Sequence, residues 1–160
     1  MCASFTTATF AWSTNSDMEI FSTTYWKVIL ADDQTYFGRL VIVSREPRTA
    51  LPDLSREEQH DFFDLAKQLE DFFKKEFSAT MFNYSCLMNL AYRDGEEPRV
   101  HWHFRPRYAQ PVTVANEVIA DPNFGNHYIP TAFGLKDAIG DEAKNLLVKK
   151  LQETFSKTAL

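Results

Sequence analysis

The stretch Pro98–Tyr108 limits what this chain can fold into more than any other segment, and it reads P-R-V-H-W-H-F-R-P-R-Y. The β-branched and aromatic residues at its centre predict a strand, which we expect Pro106 to end. Side chains two apart share one face of a strand, so the stretch has an apolar face and a basic face. The basic face carries two imidazoles between two guanidiniums, from Arg99, His101, His103 and Arg105. Such a face is costly to bury unless an anionic or acidic group meets it, which indicates a functional site.

The His101-x-His103 pair fits two kinds of chemistry. Imidazole is neutral and nucleophilic near neutral pH, so one ring can attack a phosphate while the other binds it or protonates the leaving group. The flanking Arg99 and Arg105 would neutralise charge that develops on the phosphate oxygens. Two imidazoles on one strand face are also how a metal site begins, but these arginines would repel a cation. We therefore expect no bound metal, and a metal-binding protein or a structural histidine pair remain as alternatives.

The pair, followed by two residues and then Pro-Arg-Tyr, resembles the motif of the histidine-triad family of nucleotide hydrolases and transferases. Aligned on Pro106 and Arg107, the three motif positions fall on Arg99, His101 and His103. The resemblance implies that His101 is the nucleophile and that His103 is the third member. Arg99 stands where the family has its first histidine, so the rate and the preferred leaving group are open.

From this resemblance we expect a nucleotidyl hydrolase or transferase that acts on the α-phosphate of a dinucleoside polyphosphate or a nucleoside phosphoramidate. The reaction would pass through a nucleotidyl-histidine. No cofactor is expected on the protein, although Mg²⁺ can arrive with the substrate. The resemblance also implies a homodimer. The main alternative is a nucleotide-binding module of the same fold, with weak or no catalysis because of Arg99.

The segment upstream resembles the nucleoside-binding and phosphate-binding parts of the same family. Two predicted strands, Tyr25–Leu30 and Arg39–Val43, enclose a polar turn. The resemblance implies that Asp32 or Asp33 in this turn holds the ribose and that Asn89, or second Asn83, contacts the phosphate. The alternatives are solvated turn carboxylates for the first two, and hydrogen bonds that satisfy a turn or a strand end for the asparagines.

The rest of the chain predicts a single α+β domain over residues 18–160, preceded by a Ser/Thr-rich tail at 1–17. Ser55 and Glu58 form a capping box, and an apolar stripe from Phe62 to Phe77 then predicts a long amphipathic core helix. The remaining predicted elements are a strand at Met81–Leu90, a turn at Tyr92–Pro98, an edge strand at Val112–Ala120 and a helix at Asp141–Phe155. We expect a meandering antiparallel sheet of about five strands with the long helix and the C-terminal helix. The resemblance covers residues 26–108.

Charge and composition narrow the class further. A net charge of −5 and an isoelectric point near 5.3 argue against a general nucleic-acid or membrane-surface binder. Cys2 and Cys86 are too few for a disulfide framework, and Cys86 is expected to be a small buried residue. No secretory signal or membrane span is predicted, so we expect a cytoplasmic protein. His60 and His127 are expected at the surface, although His127 is a candidate lid contact.

Overall fold

A computed structural model describes residues 19–121, 123–127 and 139–156, so the predicted tail at 1–17 lies outside the described residues. A five-stranded antiparallel sheet, ordered β1-β2-β3-β5-β4, forms its centre, and this confirms the α+β prediction. The strands of the described part are β1 (Glu19–Ser22), β2 (Trp26–Leu30), β3 (Leu40–Ser44), β4 (Met81–Ser85), β5 (His101–Arg107), β6 (Val112–Val114) and β7 (Glu117–Ile119). The helices are α1 (Arg56–Phe77), α2 (Asn89–Asp94) and α3 (Asp141–Phe155). Within these ranges no helix combines the length and the hydropathy needed to cross a bilayer.

Helix α1 begins where the sequence predicts. The Ser55 side chain accepts a hydrogen bond from the Glu58 backbone, and the Glu58 carboxylate accepts one from the Ser55 backbone. Burial of the apolar stripe against one face of the sheet supplies most of the helix stability. The predicted core residues of α1 are all buried, namely Phe62, Leu65, Leu69, Phe72, Phe73 and Phe77.

The predicted end of the histidine strand at Pro106 is wrong, because β5 continues to Arg107. The Ser44 backbone N–H donates to the carbonyl of Val100, so the backbone N–H and C=O groups of Val100 point towards β3. The backbone groups of every second residue after Val100 point the same way, and Pro106 is one of these residues. Strand β3 begins at Leu40, opposite Phe104. Pro106 therefore lies beyond the end of β3, where a missing N–H costs no ladder hydrogen bond.

Two further boundaries differ from the prediction. Strand β4 ends at Ser85, because the backbone turns at Met88 with a positive φ of 52° and then enters the short helix α2. The predicted turn at Tyr92–Pro98 therefore begins inside a helix. The predicted edge strand at Val112–Ala120 is a separate hairpin, in which Ala115 and Asn116 have φ values of 48° and 67°. Two positive φ values in succession form the tight turn that matches the twist of paired strands.

Candidate active site

Strand β5 presents both histidines on the sheet face that points away from α1. His101 lies opposite Val43, and His103 lies opposite Val41 on one side and Ser85 on the other. The two imidazole rings meet edge to face, with centroids 5.0 Å apart. His101 is only 8% exposed, and His103 is half-buried. The strand periodicity therefore brings the two predicted catalytic side chains together.

A backbone carbonyl fixes the tautomer of His101. Its Nδ1 lies 2.8 Å from the carbonyl oxygen of Arg99, and since a carbonyl only accepts, Nδ1 carries the proton. The lone pair of the neutral ring is then on Nε2. Burial lowers the pKa of His101, and the hydrogen bond to Arg99 opposes this shift only in part. The ring is therefore favoured in its neutral form, with the Nε2 lone pair available.

His103 is held neutral even more strongly. Burial, aided by the neighbouring charges of His101, Arg105 and Arg39, lowers the pKa of His103 to about 3. Its Nδ1 is buried and has no hydrogen-bond partner among the residues that the structure describes. A neutral imidazole carries one N–H and can therefore donate to a phosphate oxygen.

The basic character of this face continues along β5. Arg105 is buried at 4% exposure and donates from Nη1 to Ser85 Oγ at 3.1 Å. Buried guanidinium groups beside two imidazoles favour an anion and disfavour a cation. Among the described residues, no group of three or more His, Cys, Asp or Glu side chains is arranged to hold a metal ion.

Comparisons with known proteins agree with this geometry at the level of the fold. No family model matches the chain, and no curated protein matches it in sequence. A histidine triad protein from Sinorhizobium meliloti superposes with a TM-score of 0.65 at 16% identity, over 86% of this chain and 89% of that one. One from Marinobacter aquaeolei gives a TM-score of 0.59 at 19% identity, over 90% and 93% of the two chains. This chain has the histidine-triad fold.

A third neighbour, a hypothetical histidine triad nucleotide-binding protein from Sulfolobus tokodaii, gives a TM-score of 0.58 at 13% identity, over 88% and 84% of the two chains. Two further matches, to longer proteins, have TM-scores of 0.49, and this chain spans only 22% and 62% of their length. The likeness to these histidine-triad proteins is one of architecture, since all the identities are below 25%.

Arg99, at the first triad position, supports the backbone around the site. Its guanidinium donates to the carbonyl oxygen of Ser44 at 2.8 and 3.1 Å and to that of Arg45 at 2.6 Å. Its own carbonyl is the acceptor for His101. These contacts join the end of β3 to the residue before β5 and hold the acceptor of His101 in place. The predicted contact of Arg99 with a phosphate stays a prediction.

The residues expected to bind the nucleoside and the phosphate differ in their exposure, in their hydrogen bonds and in the elements that carry them. Asp32 is exposed, whereas the Asp33 carboxylate accepts hydrogen bonds from the Thr35 backbone N–H and hydroxyl at 2.9 and 2.7 Å. Asn89 is the first residue of α2 and not part of a strand. Asn83 Oδ1 accepts from Arg107 Nη1 at 2.8 Å. Their ribose and phosphate contacts stay predictions.

Arg107 forms a buried ion pair at the end of β5. Its Nε and Nη2 donate to the Asp121 carboxylate at 2.6 and 3.1 Å, and both side chains are almost fully buried. Its guanidinium also lies over the Tyr36 ring, 4.7 Å from the centroid. The loop that contains Asp121 is therefore anchored at the end of β5, next to the basic face.

The two remaining histidines lie at the surface as predicted, whereas Cys86 is less buried than expected. His60 and His127 are exposed. Cys86 is half-buried, and burial raises the pKa of its thiol. Arg39 is not among the residues predicted from the sequence, but it adjoins the histidine face and lowers the pKa of His103. Strand alternation could have predicted this position of Arg39. Leu40 faces the core, so its neighbour Arg39 faces the other side of the sheet, which carries the histidines.

The lowered histidine pKa values predict the pH dependence of turnover. A nucleophile with an ordinary imidazole pKa of about 6.5 would lose rate below that value, because the protonated ring cannot attack. The pKa of His101 is lowered, so we expect the acid limb of kcat/KM, measured as the pH falls from about 7.5 to about 5, to have its midpoint below about 6.5. Initial rates with a phosphoramidate substrate across this range measure the effect. A rate that falls with an apparent pKa at or above 6.5 would contradict it.

Proposed function

We propose that this protein is a nucleotidyl hydrolase or transferase in which His101 attacks the α-phosphate of a nucleotide ester, anhydride or phosphoramidate. The observation that carries the proposal is the hydrogen bond from His101 Nδ1 to the Arg99 carbonyl, which puts the lone pair on Nε2 of a neutral, buried imidazole. The description of the Sulfolobus tokodaii neighbour as nucleotide-binding supports a nucleotide as the ligand of this fold.

The proposed reaction has two displacements at phosphorus. His101 Nε2 forms a bond to the α-phosphorus, and the bond between that phosphorus and the leaving group breaks. Water or phosphate then attacks the same phosphorus, the bond to Nε2 breaks, and the nucleotide product leaves with neutral His101 restored. The leaving group takes its proton from solvent, and neutral His103 donates a hydrogen bond to a phosphate oxygen. Arg105 would offset the charge on the phosphate oxygens during both steps.

Incubation with two substrates tests this proposal. Purified protein and its His101→Ala variant are given diadenosine tetraphosphate or an adenosine phosphoramidate, with and without chelator, and nucleoside monophosphate is measured by chromatography. We expect chelator-resistant release from the phosphoramidate that disappears in the variant. If chelator abolishes only the reaction with the polyphosphate, the cause is removal of the Mg²⁺ that this substrate carries. Unchanged release by the variant would overturn the mechanism.

The position of Arg99 favours a second candidate function, a nucleotide-binding module without efficient turnover. The guanidinium is committed to the carbonyls of Ser44 and Arg45 and supplies no imidazole at the first triad position. Tight binding of AMP by the wild type, with no turnover of either substrate, would favour this function over the enzyme.

We further propose a cytoplasmic homodimer without a resident cofactor. Strands β1 and β4 are the outer strands of the described sheet, and an edge strand offers unpaired backbone groups to a second copy. A sheet that extends through β4 would bring two histidine sites close together. Sedimentation at micromolar concentration is expected to give twice the chain mass. A monomer in the wild type would contradict the dimer.

A further inference from the structure

Arg39 lies on the histidine face although it precedes the strand. Leu40, the first residue of β3, is fully buried in the core, and Val41 lies opposite His103. Alternation therefore puts Arg39 on the same face as Val41, across from Arg105 on β5. The Arg39 backbone is fixed, because its carbonyl accepts from the Ala31 N–H at 3.1 Å.

Asp33 holds the Arg39 side chain in one orientation. Arg39 Nη1 donates to Asp33 Oδ2 at 2.6 Å, while Asp33 Oδ1 is held by the backbone and hydroxyl of Thr35. The Arg39 side chain is 19% exposed. A half-buried arginine fixed through one nitrogen keeps donors for a ligand in a defined direction.

Two buried side-chain nitrogens on this face lack a hydrogen-bond partner among the described residues. They are Arg39 Nε and His103 Nδ1, and each is buried away from solvent. The other two such atoms, Ser44 Oγ and Trp102 Nε1, belong to residues that pair with Trp26 and Ile42 on the core face of the sheet. Buried polar groups in proteins are usually satisfied, so Arg39 Nε, which can only donate, points to a ligand that accepts hydrogen bonds.

Two arginines lie across from each other on this face. Arg105 is buried at 4% exposure, and Arg39 forms an ion pair with Asp33 that leaves its other nitrogens as donors. A chain of phosphates that extends from His101 has more acceptor oxygens for these two side chains than a single α-phosphate has. This favours a polyphosphate over a phosphoramidate.

We propose that Arg39 is a specificity-determining residue that binds the phosphates beyond the α-phosphate of a nucleoside polyphosphate, with Asp33 as its positioning residue. This inference rests on the proposed function and narrows its substrate class. It also leaves Asp32 as the better candidate for the ribose, because the Asp33 carboxylate is occupied by Arg39 and Thr35.

Binding of AMP and ATP, measured by calorimetry in chelator, tests the proposal without turnover. Each variant is made in the His101→Ala background, and the measured quantity is the ratio of the ATP affinity to the AMP affinity. We expect this ratio to fall roughly tenfold or more in Arg39→Met, since a charge-assisted hydrogen bond is lost. Asp33→Asn should lower it less, and Arg39→Lys should keep an intermediate ratio. The exposed Arg56→Met, which removes the same charge elsewhere, should leave the ratio unchanged.

The outcomes separate the two proposals. A ratio that falls in Arg39→Met but not in Arg56→Met supports the polyphosphate subsite. Equal affinities for ATP and AMP in the parent, or a ratio that Arg39→Met does not change, would overturn the subsite and leave the proposed function standing. If the parent binds neither nucleotide, both the subsite and the proposed function fail.

Discussion

Replacing His101 by alanine is expected to lower kcat for nucleotide release by about 10⁴-fold or more, because the variant has no atom that can form the bond to phosphorus. The loss should appear in kcat and not only in KM, since the imidazole contributes most to the transition state. Steady-state rates with the phosphoramidate measure it. Circular dichroism should show an unchanged fold, because His101 lies on the sheet face that α1 does not cover.

Two other histidines provide the controls for this result. His103→Ala should slow release by about 10²- to 10³-fold, since a hydrogen-bond donor to the phosphate is lost while the nucleophile remains. His60→Ala removes an exposed imidazole on α1 and should leave the rate unchanged. A larger loss in His103→Ala than in His101→Ala would indicate that His103, and not His101, is the nucleophile.

The second large effect is expected on stability. Replacing Asp121 by alanine leaves the fully buried Arg107 guanidinium without its carboxylate and should lower the free energy of unfolding by about 3–5 kcal/mol. Urea denaturation measures the loss through a lower midpoint. The reason is desolvation, because a charge in this environment is stabilised only by its partner and its hydrogen bonds.

A double variant separates the buried charge from packing. Arg107→Met with Asp121→Leu removes both charges and should recover much of the stability, since no unpaired charge is then buried. Lys67→Met breaks an exposed ion pair with Asp71 on α1 and should change the midpoint little. A double variant as unstable as Asp121→Ala would show that the loss comes from packing and not from the unpaired charge.

Local patterns were sufficient to predict much of this fold. The capping box at Ser55 and the Phe stripe fix α1 through contacts within a few residues, and the charge and apolar pattern of Asp141–Phe155 fixes α3. The alternation through His101 and His103 placed both rings on one face. These features depend on residues close together in the chain, so their spacing in the sequence is enough to predict them.

The missed features depend on contacts between distant segments. Pro106 is tolerated in β5 because β3 has already ended, and the length of β3 cannot be read from β5. The guanidinium of Arg99 binds backbone carbonyls more than fifty positions away in the chain, which no local pattern around Arg99 indicates. Arg39 joins the site only when β3 and β5 pair. Each depends on strand register, which one sequence does not specify.

The most direct test of the central claim is to look for the nucleotidyl-histidine itself. Wild-type protein is mixed with an adenosine phosphoramidate, quenched under denaturing alkaline conditions that preserve phosphorus–nitrogen bonds, and measured by intact mass and peptide mapping. The account predicts a mass increase of one adenylyl group that maps to His101 and is absent from His101→Ala. Release of AMP by the wild type with the adduct on another residue, or equal release by His101→Ala, would contradict it.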